Sequence, residues 1–447
     1  MAKKLLRNPY IFFLPFFFLY VYVIVINKWP TLYGDEIRYA DFAWGILHGY
    51  YSPPPPHINL WNGPGYPLLI APFMAMHIHA LYITLLNAVF QYLSVVFLYK
   101  ALKTITSNKT ALIFSLLLAV YPNNLSILPI LYTEAFTGFL VSSFIFSATL
   151  CYQRKNMWYG LLAGFILGYL VLTKVIFGYV LFIALAVCLV LLLFKKEKAY
   201  YLRPFYILLT ALALTLPWLA YTYHITGKAF YWGDSGGMSL YWMSSPYDNE
   251  YGDWKLPELT NHQYPISFKS AETDVILKKN HSKEMAFILK HDELQQDELF
   301  KQAAFRNIRQ HPFKFAQNYY YNCSRMLFNF PYSYSYQDSA VIGNILRGSL
   351  ILWASVLGLI STLLNWRRIL WPVKFALAVT GLYLLLSGAL SAYPRQLDVV
   401  VPVLLFWLGF LFANMQKLNF KFSRQESSAD IELATLTENG VYAKEVM

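Results

Sequence analysis

Residues 158–194 read WYGLLAGFILGYLVLTKVIFGYVLFIALAVCLVLLLF, and Lys174 is the one charged side chain among them. A bilayer has a hydrocarbon core about 30 Å thick and is crossed by about 20 apolar helical residues. The stretch is therefore long enough for two crossings, 158–175 and 177–194, with Lys174 at the turn. Lipid offers no partner for a bare backbone amide, so continuous apolar runs of this length are helices. The same reading, worked outward, gives further spans at 9–27, 80–100, 110–127, 131–151, 204–223, 344–364, 370–390 and 397–415. The expected fold class is an all-α polytopic membrane protein of about ten helices, with nine to thirteen as the bracket.

Composition agrees. Of the 447 residues, 57% are hydrophobic, 18% aromatic and 13% charged, against about 45–50% apolar and about 25% charged in an ordinary soluble domain. A disordered chain, a collagen, a coiled coil and a soluble enzyme are excluded. The formal charge of +12 is not a nucleic-acid footprint, because basic residues in a membrane protein first report sidedness. If the N-terminus is cytoplasmic, the inside segments hold 18 Lys and Arg. The outside segments hold five once the long late loop is left out. That asymmetry sets both termini in the cytoplasm. The N-terminal run, with Lys3, Lys4 and Arg7 ahead of it, reads as an uncleaved first span; a signal peptide would have a shorter core and a small-residue cleavage site. Cys151, Cys188 and Cys323 make no disulfide framework and have no zinc spacing.

Four regions follow: 1–223, a transmembrane module with a first outer loop at 28–79; 224–343, an extracytoplasmic loop domain of mixed character; 344–415, the last transmembrane helices; and 416–447, a polar cytoplasmic tail. The first outer loop holds an expected short helix (Ile37–His48), the tract Pro53–Pro56 and an apolar stretch, Tyr66–Met76, too short to span. In the late loop, the first half reads as irregular and Ala271–Arg309 as helical. Phe313–Phe330 reads as a surface-lying amphipathic segment.

Of 24 acidic residues, five fall at outer span ends: Asp35, Glu36, Asp41, Glu134 and Asp398. Carboxylates at a membrane edge are costly and are usually paired or functional. In Gly34-Asp35-Glu36-Ile37-Arg38-Tyr39-Ala40, a helix starting at Asp35 sets Asp35, Arg38 and Tyr39 on one face. The plainer reading makes Asp35 a helix cap, with Glu36 favouring the dipole. Glu134, after Thr133, has the same two readings. Lys174 and Arg395 either snorkel or hold an anionic headgroup, and with Arg38 they would suit a lipid phosphate. His57, His77 and His79 complete no metal pattern and read as interfacial. The aromatics of Phe230–Tyr251 are candidates for stacking on a sugar.

From Gly34 to Ala40 the chain resembles the polyprenyl-phosphate-dependent C-type (GT-C) glycosyltransferases, the group that contains protein O-mannosyltransferases and the lipid A aminoarabinose transferase. Trp61-Asn62-Gly63-Pro64-Gly65-Tyr66-Pro67-Leu68-Leu69 is similar to their Pro-rich motif. Leu131-Tyr132-Thr133-Glu134 resembles the acidic start of their fourth span, and Leu172-Thr173-Lys174 a recurrent Leu-Thr-Lys. Phe305–Phe315 resembles the segment that ends their outer domain. At Asn62-Gly63 the chain departs from the acidic–Lys pair of the aminoarabinose transferases, so no acceptor carries over.

The resemblance implies a GT-C-like bundle in the plasma (inner) membrane, with its site on the extracytoplasmic face. It implies an inverting transfer of a sugar from a polyprenyl-phosphate donor to a lipid, glycan or protein. Asp35 would be the general base and Glu134 a second carboxylate at the acceptor. Arg38, Lys174 and Arg395 would bind the donor phosphate, with Glu36, Tyr39 and Tyr66 in support. Membrane lipids and the lipid-linked sugar are the implied partners, with no nucleic acid. No cofactor is indicated, and metal dependence stays open. Three rivals remain at the level of sequence, one of them a pure scaffold, which would leave Asp35, Glu134 and the outer cations unexplained. A transporter or flippase of lipid-linked sugars would place polar residues at mid-membrane. A ligase or polymerase of the O-antigen type would rely on basic residues in the late loop. The sugar, the acceptor and the oligomeric state are not written in the sequence.

Overall fold

Apolar runs fold here as helices, and proline and glycine decide where they stop and how closely they pack. The computed structural model describes residues 8–194, 198–255, 271–334 and 341–414. The first run breaks into a single turn, Pro9–Phe12, and α1, Leu14–Asn27, because Pro15 has no amide to donate. Then come α2 (Asp35–Leu47) and α3 (Gly65–Ala75) in the first loop, α4 (Leu86–Ile105), α5 (Asn108–Ala119) and α6 (Glu134–Arg154). The quoted stretch is α7 (Met157–Thr173) and α8 (Ile176–Phe194), and α9 is Lys198–Thr226. The late loop carries α10 (Ser235–Met243), α11 (Ala271–Ile288), α12 (Glu293–Gln310) and α13 (Pro312–Phe328). The chain closes with α14 (Val341–Leu364), α15 (Trp371–Gly388), the short α16 (Pro394–Asp398) and α17 (Val401–Asn414). No strand occurs among the described residues.

The protein is an all-helical integral membrane protein. Among the described residues six helices are long and apolar enough to cross a membrane: Ala80–Ile105, Glu134–Arg154, Ile176–Phe194, Tyr200–Thr226, Val341–Leu364 and Trp371–Gly388. The other four expected spans fall on shorter helices. The 110–127 run stops before Pro122, since the residue preceding proline avoids helical geometry. The 397–415 run is split between α16 and α17. The tail 416–447 lies outside the described residues, as do Lys3, Lys4 and Arg7.

Helix α6 packs against α4 and α7, and α7 against α9. The α7–α9 seam is made by glycines one turn apart. A Cβ on Gly164 would stand 2.5 Å from Thr210 Cβ and 2.6 Å from the Ile207 carbonyl, and one on Gly168 would stand 2.8 Å from the Ala211 carbonyl. In lipid, association is driven by such close backbone approach rather than by hydrophobic burial. Gly164→Val should therefore cost about 1–3 kcal/mol by overpacking. Thermal unfolding of the purified variant in detergent reads this as a lowered midpoint.

The late loop has a small core of its own around Tyr241, Trp242, Met285 and Phe300. Its irregular first half contains α10. Helix α13 is amphipathic in an unexpected sense. Phe313 and Tyr320 are exposed, while Asn318, Asn322 and Arg325 are fully buried. The Arg325 guanidinium donates to the carbonyls of Pro331, Ala392 and Tyr251. It thereby ties the end of the loop to the segment between α15 and α16.

Candidate functional site

Gly34 has φ +58, a conformation that glycine adopts without strain, and the chain turns there into α2. Asp35 is thus the first helical residue, and its side chain is not spent on a cap. One carboxylate oxygen accepts from Arg38 a turn later. The other accepts from Arg395 Nη1 at 2.8 Å. Arg395 is delivered by α16, which starts on Pro394 and is clamped by Tyr393 N–H donating to Gln396 Oε1 at 2.9 Å. The far end of α16 is anchored by Asp398, buried, which accepts from Tyr121 OH at 2.9 Å and from Asn123 Nδ2.

Lys174 stands in extended backbone where α7 ends and α8 begins. Its ammonium donates to Glu134 Oε1 at 3.0 Å. Glu134 opens α6, and Thr133 makes no cap there but donates to Glu134 Oε2 at 3.4 Å. Asp35, Arg38, Tyr39, Lys174 and Arg395 line one cavity of about 710 Å³, and Glu134 stands behind Lys174. Two carboxylates and three cations leave this cluster with one net positive charge. Such a surplus of cations is an arrangement suited to an anion.

The remaining candidates are placed differently. Glu36 is buried, where it takes the Lys28 ammonium, the Tyr33 amide at 3.0 Å and the Leu131 amide at 2.7 Å. It fastens the start of α2 to the segment leading into α6. Tyr66 is buried and supports Tyr39 edge to face, with ring centroids 5.2 Å apart. Asp41 is exposed. His79 accepts from the Leu81 amide at 3.3 Å, an ordinary cap. Among the described residues no group of three His, Cys, Asp or Glu is placed to hold a metal ion.

The stretch Phe230–Tyr251 does not supply stacking rings to this cavity: Trp232 and Trp242 are 1% exposed and belong to cores. From that stretch Ser235 and Ser239 line the wall. The indole rings in the lining are those of Trp61 and Trp254, beside several tyrosines. Trp61 was in view in a motif, but nothing in the sequence singles out Trp254 among 12 tryptophans.

Burial pushes the Asp35 carboxyl up, but the Arg395 and Arg38 guanidiniums outweigh it and hold the group below the usual carboxylate range. Arg395 moves the other way. Burial lowers it, and Asp35 with Glu134 raises it beyond its ordinary value. A depressed carboxyl contributes stability above its unfolded pKa and loses it only as pH falls through the depressed value. Infrared difference spectra of the protein and its Asp35→Asn variant should show little protonated-carboxyl band from Asp35 on acidification to about pH 4, where an ordinary aspartyl group is about half protonated. A strong band there would mean the guanidiniums do not hold it.

Known proteins share these features in part. The family profile described as dolichyl-phosphate-mannose-protein mannosyltransferase matches residues 62–221. That match takes in Asn62–Leu69, Leu131–Glu134 and Leu172–Lys174, while Asp35 and Arg395 lie outside it. An oligosaccharyltransferase from Archaeoglobus fulgidus, in a crystal structure with zinc and sulfate, is 14% identical with a TM-score of 0.50. The similarity covers 91% of this chain and 49% of that one. The same oligosaccharyltransferase tethered to an acceptor peptide is 13% identical with a TM-score of 0.50, over 96% of this chain and 53% of that one. ArnT from Cupriavidus metallidurans bound to undecaprenyl phosphate is 13% identical with a TM-score of 0.39, over 91% of this chain and 78% of that one. The chain thus spans about half the length of the archaeal enzyme whose fold it shares. No curated protein sequence matches the chain. The fold is of the GT-C type, and the profile match is confined to residues 62–221.

Proposed function

We propose that the protein is an inverting glycosyltransferase that moves a sugar from a polyprenyl-phosphate donor to an acceptor on the extracytoplasmic side. The observation that carries this reading is the cavity itself: one carboxylate, Asp35, held between two guanidiniums at the end of an apolar bundle, with Lys174 beside it and a net positive charge. A lipid phosphodiester has the charge and the location that such a cluster neutralises. The matched family profile names a lipid-phosphate sugar as donor. The Lys and Arg asymmetry supports the sidedness, with both termini in the cytoplasm.

The chemistry follows. The acceptor hydroxyl or amine attacks the anomeric carbon on the face opposite the phosphate. The new bond forms as the carbon–oxygen bond to phosphate breaks, and the acceptor proton passes to Asp35. The electron pair leaves with the phosphate, whose growing charge falls on Arg38, Arg395 and Lys174. One displacement inverts the anomeric centre. When the donor phosphate takes the guanidiniums, Asp35 gives up part of its ion pairing. Its proton affinity then rises at the moment a base is needed. Glu134 holds the Lys174 ammonium in place, and Glu36, Tyr39 and Tyr66 brace α2. The first module, 1–223, and α16 supply the site, and the loop domain 224–343 closes one wall.

The test is mass spectrometry of lipids, glycans and envelope proteins with and without the gene. The expected result is an accumulating polyprenyl-phosphate sugar and one acceptor that lacks that sugar. Profiles that do not differ would overturn the reading.

A further inference from the structure

We propose that Trp61 and Trp254, with Asn62, form the subsite for the donor's sugar ring, and that the ring is an uncharged pyranose. This rests on the reading of the charged cluster as a lipid-phosphate site.

The two indoles meet at a corner, with centroids 6.5 Å apart and planes at 78°, and both line the cavity. The C–H faces of a pyranose pack on aromatic faces, and such large rigid side chains give area at little entropic cost. Arg38 links this corner to the anion site. Its guanidinium carbon lies 5.3 Å from the Trp61 ring while one of its nitrogens binds Asp35. A ring joined to a phosphate on Arg38 therefore falls at Trp61.

Both walls are fixed from behind. Asp234, buried beside α10, accepts the Leu60 amide at 2.6 Å and so holds the residue before Trp61. The Trp254 amide donates to Tyr393 OH at 3.0 Å. Two uncharged polar atoms on this corner, Trp254 Nε1 and Asn62 Oδ1, are buried and without a hydrogen-bond partner. A buried donor and a buried acceptor left unmatched are costly, and a sugar hydroxyl satisfies either.

The chemical class follows from charge. Among the described residues, Asp35, Arg38, Lys174 and Arg395 are the only ionisable acids and bases in the lining, apart from tyrosines. The cations face the phosphate, and Asp35 is enclosed by guanidiniums. Among the described lining residues a sugar ammonium would find no carboxylate at the tryptophan corner, and a sugar carboxylate no cation beyond those that hold the phosphate. Serines, amides and phenols make up the rest of the polar wall.

The experiment measures binding of four lipids to the full chain in nanodiscs: polyprenyl phosphate alone, and the same lipid carrying glucose, glucosamine or glucuronic acid. The wild type should bind the glucosyl lipid at least tenfold more tightly than the bare lipid, with no such gain for the charged sugars. The gain should fall to about onefold in Trp61→Ala and Trp254→Ala, and should persist in Trp61→Phe and Trp254→Phe, which keep a ring. A gain that survives both alanine variants, or a larger gain for a charged sugar, would overturn the assignment while the lipid-phosphate reading stands. Wild-type protein that binds none of the four lipids would overturn both.

Discussion

Asp35→Asn should lower sugar transfer by about 10²–10⁴-fold, the usual contribution of a positioned general base. The amide is isosteric but takes no proton. Its neutral charge also releases Arg395 and Arg38 from their carboxylate partner, so the donor phosphate meets less competition. The expected signature is a split: turnover collapses while affinity for the lipid donor is retained or improves. Initial rates and lipid binding on the same purified variant separate the two. Turnover within about tenfold of wild type would remove Asp35 from the role of base.

Arg395→Gln should act mainly on the donor. The side chain stays polar but loses its charge and, being shorter, part of its reach. A hydrogen bond to a charged group contributes about 1.5–3 kcal/mol, which corresponds to roughly 10- to 100-fold in affinity for the lipid phosphate. Two further effects are tied to the same contact. Asp35 loses the largest of the charges that depress its carboxyl, so its proton should be held to higher pH, an effect the infrared band reads directly. Arg395→Lys should restore the charge and only part of the affinity, because an ammonium lacks the planar fork. Unchanged donor affinity in Arg395→Gln would mean the guanidinium serves only to hold α2.

The bundle was legible because the signal is large: runs such as 176–194 leave no alternative to a helix in lipid. The breaks were not. Pro15 and Pro122 interrupt runs whose hydropathy is continuous, and hydropathy does not register a missing amide. The α7–α9 seam was also invisible, since Gly164 and Gly168 look like ordinary apolar-helix residues until their partner helix is known. Asp35, Arg38 and Tyr39 could be placed together from helical spacing alone. That Arg395 closes on Asp35 could not, because no local pattern connects positions 360 residues apart. Trp254 was missed for a related reason: among so many aromatics, only packing distinguishes a cavity wall from a core.

That long-range closure bears on how the protein is made. The ion pair joins the second helix of the chain to the turn just before the last one. A ribosome that has produced the chain through Lys174 has made the Asp35–Arg38 and Glu134–Lys174 pairs but not yet the Asp35–Arg395 one. Competence arrives late and all at once, when α16 docks. A chain that has not reached α16 therefore lacks one of the two guanidiniums that hold Asp35.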